Sequence, residues 1–462
     1  MDYQEQADIA ATAEEKMPST FKLVTFGCQM NKYDSEKMNG VLVSNGMSEV
    51  DLAEEADLIL VNTCSIREKA ENKVFSYIGR LAELKEKNKN LLIALGGCMA
   101  TFNKKEIFRK APGLDIVFGP DSISKIPELI SQRLVSGRKQ MDIGFSEEIT
   151  WDSPEGLVRK SGVVAWIGIM KGCDNHCTYC VVPGTRGREI SRHPDSIIGE
   201  VRDLAGKGYR EICLIGQNVN SYGKGLTPEI TFPELLRSVE EIDGVQRIRF
   251  MTSHPKDITD ELIEEMAVSR KICPSLHMPL QSGSDSVLAR MNRGYTVSEY
   301  LAKVERIRNA VEGISISTDL MVGFPGETEE DFLSTCEVMK RVRFDSLFLF
   351  NYSSRSGTPA AGYGEQVERK VSQERFDTAL TLHKSIIAEK NLDMKGRKVV
   401  VLCEDTYNGN MKRHSADNSG FLSGRTRDNF MVVFKGARGL IGEEIELRIY
   451  GAAGYNLLGE PV

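Results

Sequence analysis

Lys171–Gly187 reads KGCDNHCTYCVVPGTRG. Cys173, Cys177 and Cys180 fall in a CxxxCxxC spacing with no fourth cysteine to follow in the stretch. Closed zinc and iron–sulfur sites usually take four protein ligands, so a trio leaves one place for something other than protein. On a cubane cluster, three thiolates leave the fourth iron free for a substrate or cofactor, which an amine and a carboxylate can chelate. Two alternatives remain open. One is a zinc ion completed by His176, which adjoins Cys177 and must fold back to share a tetrahedral site. The other is three structural cysteines.

Working outward, the loop follows VVAWIGIM (163–170), a short apolar run that reads as a buried strand. Five more follow: EICLIG (211–216), RIRFMTS (247–253), SLHMPL (275–280), SISTDLMVGF (315–324) and DSLFLFN (345–351). Helical patterns such as Glu200–Lys207 and Ser298–Val311 lie between them. This alternation predicts an α/β partial (β/α)6 barrel over 161–395, with an open doubly wound sheet as the alternative. In such barrels active sites collect where strands end and loops begin, which is where the cysteine loop falls.

The same alternation occupies 21–140. FKLVTF (21–26), ADLILVN (56–62), NLLIALGG (90–97) and LDIVFG (114–119) predict a parallel-sheet α/β domain, and a helical face runs from Ile66 to Leu84. Cys28, Cys64 and Cys98 each stand just beyond one of these strands and before a helix. Strand ends of a parallel sheet share one edge, so three thiols distant in sequence can converge there. Gly27, Gly96 and Gly97 permit close backbone approach. A second iron–sulfur cluster is the reading; three buried cysteines acting as small hydrophobes is the alternative. Cys213, Cys273, Cys336 and Cys403 read as core thiols.

Residues 141–160 form a polar linker, and 396–462 hold short β-rich runs separated by Gly and Asn turns, the rhythm of a small antiparallel barrel. In the N-terminal tail, residues 1–20, Asp2, Glu5, Asp8, Glu14 and Glu15 against Lys16 account for −4 of the formal −7. The chain is therefore no generally basic nucleic-acid binder, and any polyanion must be held by local patches. No apolar run reaches the ~18–20 residues of a membrane helix. The expected setting is the cytoplasm, with no membrane partner and reduced thiols.

The CxxxCxxC loop, with Tyr179 just before its last cysteine, resembles the signature of the radical S-adenosylmethionine (SAM) superfamily. That resemblance implies a [4Fe-4S] cluster chelated by the methionine part of SAM, a 5′-deoxyadenosyl radical, and Tyr179 flanking the adenine. The order of a three-cysteine α/β domain, this barrel and a small β-barrel is similar to the methylthiotransferases. The likeness covers roughly Phe21 to Pro461. It implies two [4Fe-4S] clusters, the second on Cys28, Cys64 and Cys98, and two SAM molecules, one giving methyl and one the radical. It also implies that the C-terminal barrel is an OB-like TRAM domain that binds RNA. CTYCVVPGTRGRE (177–189), IGQNVNSYG (215–223) and MTSHPKD (251–257) are similar to the MiaB-type branch, which acts on isopentenylated adenosine beside the tRNA anticodon. Sister branches act on threonylcarbamoylated adenosine or on a ribosomal-protein aspartate. Gly184 and SSRSGTPAA (353–361) depart from the family pattern in substrate-facing segments.

The resemblance further implies a SAM pocket from Gly216, Gln217 and Asn218, from His277, Gln281 and Ser282, and from Ser317 and Asp319. GFPGE (323–327) is a tight turn there or an ordinary capped strand-to-helix turn, and His254 faces the substrate or caps a turn. Two patches suit RNA, with cations for phosphates and rings for bases. Arg186, Arg188, Arg192 and His193 follow the cysteine loop; Lys412, Arg413, Arg425 and Arg427 interleave with Phe421 and Phe430. A solvated strand face is the alternative for the second patch. The implied partners are the tRNA anticodon stem-loop, an electron donor, and iron–sulfur assembly or carrier proteins.

Overall fold

The computed structural model describes residues 17–64, 68–102, 106–146, 159, 162–407 and 420–462. The acidic tail, most of the expected linker, and Lys412 and Arg413 lie outside the described residues. The chain divides into two compact bodies: Met1–Lys160 with Lys171–Asn175 and Val181–Arg192, and Ser161–Met170 with His176–Cys180 and His193–Val462. The first body thus takes in residues that the sequence pattern assigned to the barrel. The barrel and the C-terminal domain form one body.

The first body is built on a six-stranded parallel sheet. Its strands are β1 (Thr20–Phe26), β2 (Ser48–Glu49), β3 (Leu58–Thr63), β4 (Leu92–Gly97), β5 (Ile116–Phe118) and β6 (Gln140–Asp142). The spatial order is β2-β1-β3-β4-β5-β6. Every residue of β3 and β4 is buried, as a parallel sheet covered on both faces requires. Alternate side chains feed two cores. Ile59, Val61, Ile93 and Leu95 meet Val74, Ile78 and Leu81 of the helix Glu68–Lys87. Leu58, Leu60, Leu92 and Ala94 meet Met38 and Leu42 of the helix Gln29–Ser44 and Ile126 and Ile130 of the helix Ile126–Ser136. Each Val, Leu, Ile or Met side chain among them contributes about 1.5–3 kcal/mol on burial. Registers Phe26↔Thr63 and Thr63↔Gly97 bring the ends of β1, β3 and β4 level.

Two-residue strands β8 (Met170–Lys171) and β9 (Ile190–Ser191) flank the cysteine loop in sequence, and β7 (Val164–Gly168) precedes them. The remaining barrel strands are β10 (Glu211–Ile215), β11 (Arg247–Phe250), β12 (Ser275–His277), β13 (Ser315–Val322) and β14 (Ser346–Asn351). Two parallel three-stranded sheets, β11-β10-β7 and β12-β13-β14, are joined by the bridge Ile248↔Ile272. Among the described residues no ladder returns from β14 to β7, so the barrel is partial. Its helices start on reciprocal caps that satisfy otherwise unpaired backbone donors: Thr231 with Glu234, Thr296 with Glu299 and Thr328 with Asp331.

The C-terminal domain closes as a five-stranded barrel from β15 (Lys398–Thr406), β16 (Phe421–Thr426), β17 (Met431–Lys435), β18 (Glu444–Ala453) and β19 (Asn456–Pro461), in the order β15-β16-β17-β19-β18. Four of its pairings are antiparallel, as expected, and β17 and β19 pair in parallel, Val432↔Leu457, where the barrel closes. This domain is seated on the first residues of the barrel strands. Arg247 Nε donates to Glu444 Oε1 at 2.8 Å and Nη1 to the Arg425 carbonyl at 2.6 Å. Arg249 donates to the Thr426 and Arg427 carbonyls at 2.7 and 2.9 Å, while its Nε pairs with Glu211 at 2.9 Å. No helix among the described residues is long and apolar enough to cross a membrane.

Candidate active site

In the first body, Cys28 follows β1 by one glycine, and Cys64 and Cys98 directly follow β3 and β4. Because those ends are level, the thiols converge. The Cys28 thiol is lowered to about 6, chiefly by a hydrogen bond with Cys64; Arg186 and the Asn31 and Met30 amides add to this, against burial. Burial pushes the Cys98 thiol up, with Arg186 opposing it. Arg186 Nε lies 3.2 Å from Cys98 Sγ, and its Nη2 donates to Asp34 Oδ2 at 2.6 Å. Burial works against the charge on Arg186, but Asp34, Cys98 and Cys28 together hold it well above its ordinary pKa.

Two asparagines fix the strand ends. Asn31 Nδ2 donates to Asn62 Oδ1 at 3.2 Å and the Thr63 carbonyl at 3.1 Å; Asn62 Nδ2 donates to the Asn31 carbonyl at 2.7 Å. Both side chains are fully buried, so their satisfaction is what makes them tolerable beside Cys64. Gly97 has φ +90°, and a Cβ there would lie 2.4 Å from the Thr63 carbonyl oxygen. Among the described residues no group of three or more His, Cys, Asp or Glu side chains is arranged to hold a single metal ion. Three soft sulfur donors with a buried guanidinium to balance their charge have the donor chemistry of an iron–sulfur site, where each thiolate holds its own iron.

Cys173 belongs to the first body, where its amide donates to the Gly187 carbonyl at 3.3 Å and Asn175 Nδ2 lies 3.4 Å from its Sγ. Cys177, Tyr179 and Cys180 belong to the second. There Thr178 anchors the loop, its amide on the Met291 carbonyl at 3.1 Å and its Oγ1 on the Arg290 carbonyl at 2.9 Å. Arg293, which the sequence reading missed, is 5% exposed. Its Nη1 lies 3.3 Å from Cys177 Sγ and 3.4 Å from Tyr179 Oη, and its Nη2 donates to the Pro279 carbonyl. Burial pushes the Tyr179 phenol well up. The ring stands edge-on to Phe324 at 6.5 Å. His176 is exposed, and its carbonyl accepts from Asn292 Nδ2.

The expected SAM-pocket residues are not equivalent. His277 and Ser317 are register partners on β12 and β13, with Nδ1 and Oγ 2.9 Å apart; His277 Nε2 lies 3.5 Å from Asp319 Oδ1. Gln281 takes φ +71°, its amide on the Asp319 carbonyl at 2.8 Å. Gly216 is small for a packing reason, since a Cβ there would lie 2.5 Å from the Met170 side chain. Gln217 is half-buried beside it. Asn218 bridges loops, donating to Asp257 Oδ2 at 2.7 Å and accepting the His254 amide at 3.2 Å. Ser282 is fully buried against Thr335. His254 caps a turn through Nδ1, which accepts the Lys256 amide, and burial with Arg293, Lys256 and Lys303 lowers its pKa to about 2. GFPGE is a braced turn: Glu327 Oε2 accepts the Gly323 amide at 2.6 Å and pairs with Arg375 at 2.8 Å.

The residues of the two expected RNA patches differ in exposure and in partners. Arg186 and Arg192 are buried, 5% and 1% exposed. Arg427 spends Nη2 on the Arg270 and Ile272 carbonyls, and Arg425 pairs with Glu404 at 2.8 Å. Phe421 is buried beneath Lys435, and Phe430 packs on the barrel core. Arg188 is open, its side chain 89% exposed and 3.8 Å from Asp174. His193 caps the helix Pro194–Gly206.

Known proteins bear on this arrangement. Residues 20–119 match the uncharacterized protein family UPF0004, and residues 167–339 match the radical SAM superfamily. In fold the chain is similar to a radical SAM methyltransferase, TsrM, from Kitasatospora setae. The TM-score is 0.54 at 15% identity, over 75% of this chain and 74% of that one. A protein of Clostridium novyi (strain NT) is 44% identical over 95% of this chain and 96% of its own length. One of Syntrophomonas wolfei is 44% identical over 97% and 98%. Both bear the name tRNA-2-methylthio-N(6)-dimethylallyladenosine synthase. With identity of that extent across both bodies, the chain belongs to this family of radical SAM methylthiotransferases, enzymes that use SAM and an iron–sulfur cluster.

Proposed function

We propose that the enzyme places a methylthio group on carbon 2 of N6-isopentenyladenosine at position 37 of tRNA. It uses one SAM as methyl donor and a second as 5′-deoxyadenosyl radical source. Two [4Fe-4S] clusters serve it, one on Cys173, Cys177 and Cys180 and one on Cys28, Cys64 and Cys98. The observation that carries this reading is the second thiol site, buried and charge-balanced on strand ends that the CxxxCxxC loop does not supply. When bound, the first cluster supplies the electron that makes SAM a radical source, and the second supplies sulfur.

The chain's own residues position and shield. Carbon 2 of adenine carries an sp² hydrogen of negligible acidity, so no general base in this site can ionise it. Tyr179 offers a face for the SAM adenine. Arg293 balances the Cys177 thiolate and holds the loop against the Pro279 carbonyl. His277 and Ser317 are hydrogen-bonded across neighbouring strands, with Asp319 Oδ1 3.5 Å from the imidazole, a polar set suited to ribose hydroxyls. His254 stays neutral at working pH and so adds no charge beside Arg293. Arg188 is an open cation for an anticodon-loop phosphate, and the target base must leave its stack to be reached. An electron donor and iron–sulfur assembly or carrier proteins are the expected partners, and the cytoplasm is the expected setting.

The test is to supply purified, reconstituted enzyme with SAM, a strong reductant and, separately, isopentenylated tRNA, threonylcarbamoylated tRNA and the ribosomal protein. Mass spectrometry should find the methylthio group on the first. Methylthiolation of either of the others alone contradicts the proposal, as does the absence of SAM cleavage, which an iron–sulfur carrier predicts.

A further inference from the structure

We infer that Arg186 is a positioning residue for the cluster on Cys28, Cys64 and Cys98, clamped by Asp34 so that its guanidinium faces the cysteine sulfurs. The inference rests on the two-cluster reading above. Arg186 ends the short helix Val182–Arg186, which belongs to the first body together with Cys98 and the helix Cys98–Phe102. It is 5% exposed, and Asp34, at 6%, fixes one edge of the fork at 2.6 Å. The Nε then points at Cys98 Sγ from 3.2 Å. A buried Arg–Asp pair costs desolvation that its own attraction barely offsets, and here the guanidinium is turned toward a site where three thiolates would gather negative charge.

Two consequences follow. A fixed cation beside a thiolate-ligated cluster favours its reduced, more negative state, because net charge and hydrogen bonds to sulfur set cluster potentials. A guanidinium that donates through Nη2 to Asp34 and through Nε to sulfur also fixes the Cys98 sulfur, as supporting residues do around metal ligands. Arg186 therefore holds sulfur and tunes potential without contacting RNA.

The experiment uses the full chain with Cys173, Cys177 and Cys180 all replaced by alanine, so that the remaining trio is the cluster site observed. Into this background go Arg186→Met, Arg186→Lys and Asp34→Asn, each reconstituted anaerobically. Iron release to a chelator and the midpoint potential are read. Arg186→Met should release iron about 10–100-fold faster and move the potential to more negative values. Arg186→Lys should recover the potential, which needs only charge, but not the retention, which needs the fork. Asp34→Asn should loosen retention. Retention lost in Arg186→Met with an unmoved potential marks a merely structural role and overturns the inference, as does no change in either. A background that holds no cluster at all overturns the two-cluster reading beneath it.

Discussion

Replacing Gly97 by alanine puts a methyl group where the chain turns from β4 into Cys98. Two costs arise. The backbone has φ +90°, where an L side chain costs about 1–2 kcal/mol. The new Cβ would also meet the Thr63 carbonyl oxygen at 2.4 Å and Asn62 Oδ1 at 2.5 Å, an overpacking worth about 1–3 kcal/mol. Gly137 is the control. It closes the helix Ile126–Ser136 with φ +66° and has nothing within 4 Å of an added Cβ, so Gly137→Ala should cost the first amount alone. Hydrogen exchange of the β3 and β4 amides in the full chain reads the opening free energy directly. Gly97→Ala should speed exchange on the order of 10²-fold, Gly137→Ala by roughly tenfold, each 1.4 kcal/mol counting as a factor of ten. Because Thr63 and Asn62 must move, Gly97→Ala should also lower the iron held on Cys28, Cys64 and Cys98, whereas Gly137→Ala should not. Equal exchange in the two variants, or unchanged iron in Gly97→Ala, refutes the reasoning that this glycine is kept for close approach at the thiol site.

Arg249→Met leaves Glu211 buried without its cation and should destabilise the barrel by about 3–5 kcal/mol, while Glu211→Gln with Arg249→Met recovers much of that; denaturant midpoints decide, and a double variant no better than the single contradicts it. His254 is held at about 2 in the fold against an ordinary value near 6.5, so between those values the unfolded chain binds a proton that the native chain refuses. Stability should therefore fall as pH drops below about 6.5, by up to about 1.4 kcal/mol per unit; His254→Asn should flatten that slope, and an unaltered slope argues against it. Arg188→Ala should reduce the salt dependence of tRNA binding by about 0.7 in log–log slope. Arg427→Ala should leave that slope alone and lower stability instead, because its guanidinium already serves two carbonyls; the reverse pattern contradicts the assignment.

The strand pattern of both α/β regions was legible because buried parallel strands are continuous apolar runs, and LILVNT and LIALGG are buried at every position. β2, β6 and β19 were not: SE, QMD and NLLGEP are short or polar edge and closing segments whose pairing depends on neighbours rather than composition. The convergence of Cys28, Cys64 and Cys98 was legible from their places just beyond parallel strands, whose carboxyl ends share one edge. What surrounds them was not. Asn31 and Asn62 show in the sequence only as polar residues at a helix start and a strand end, and their mutual hydrogen bonds are tertiary. Arginine is the residue whose partners the sequence shows least. Arg186 and Arg427 look like phosphate binders in sequence, yet one turns inward to Asp34 and Cys98 and the other to backbone carbonyls. A guanidinium's partner is chosen by the fold, and nearby Phe or Lys residues do not reveal it. Arg293 gave a fainter signal, lying far in sequence from the cysteine loop that it supports.

Iron and acid-labile sulfide counts on reconstituted protein bear most directly on the claim that this chain houses two independent thiolate sites. The account predicts about eight irons per chain for the intact enzyme. It predicts about four when either Cys28, Cys64 and Cys98 or Cys173, Cys177 and Cys180 are replaced by alanine. An intact enzyme that saturates at about four, or one that keeps its full iron after losing Cys28, Cys64 and Cys98, contradicts it.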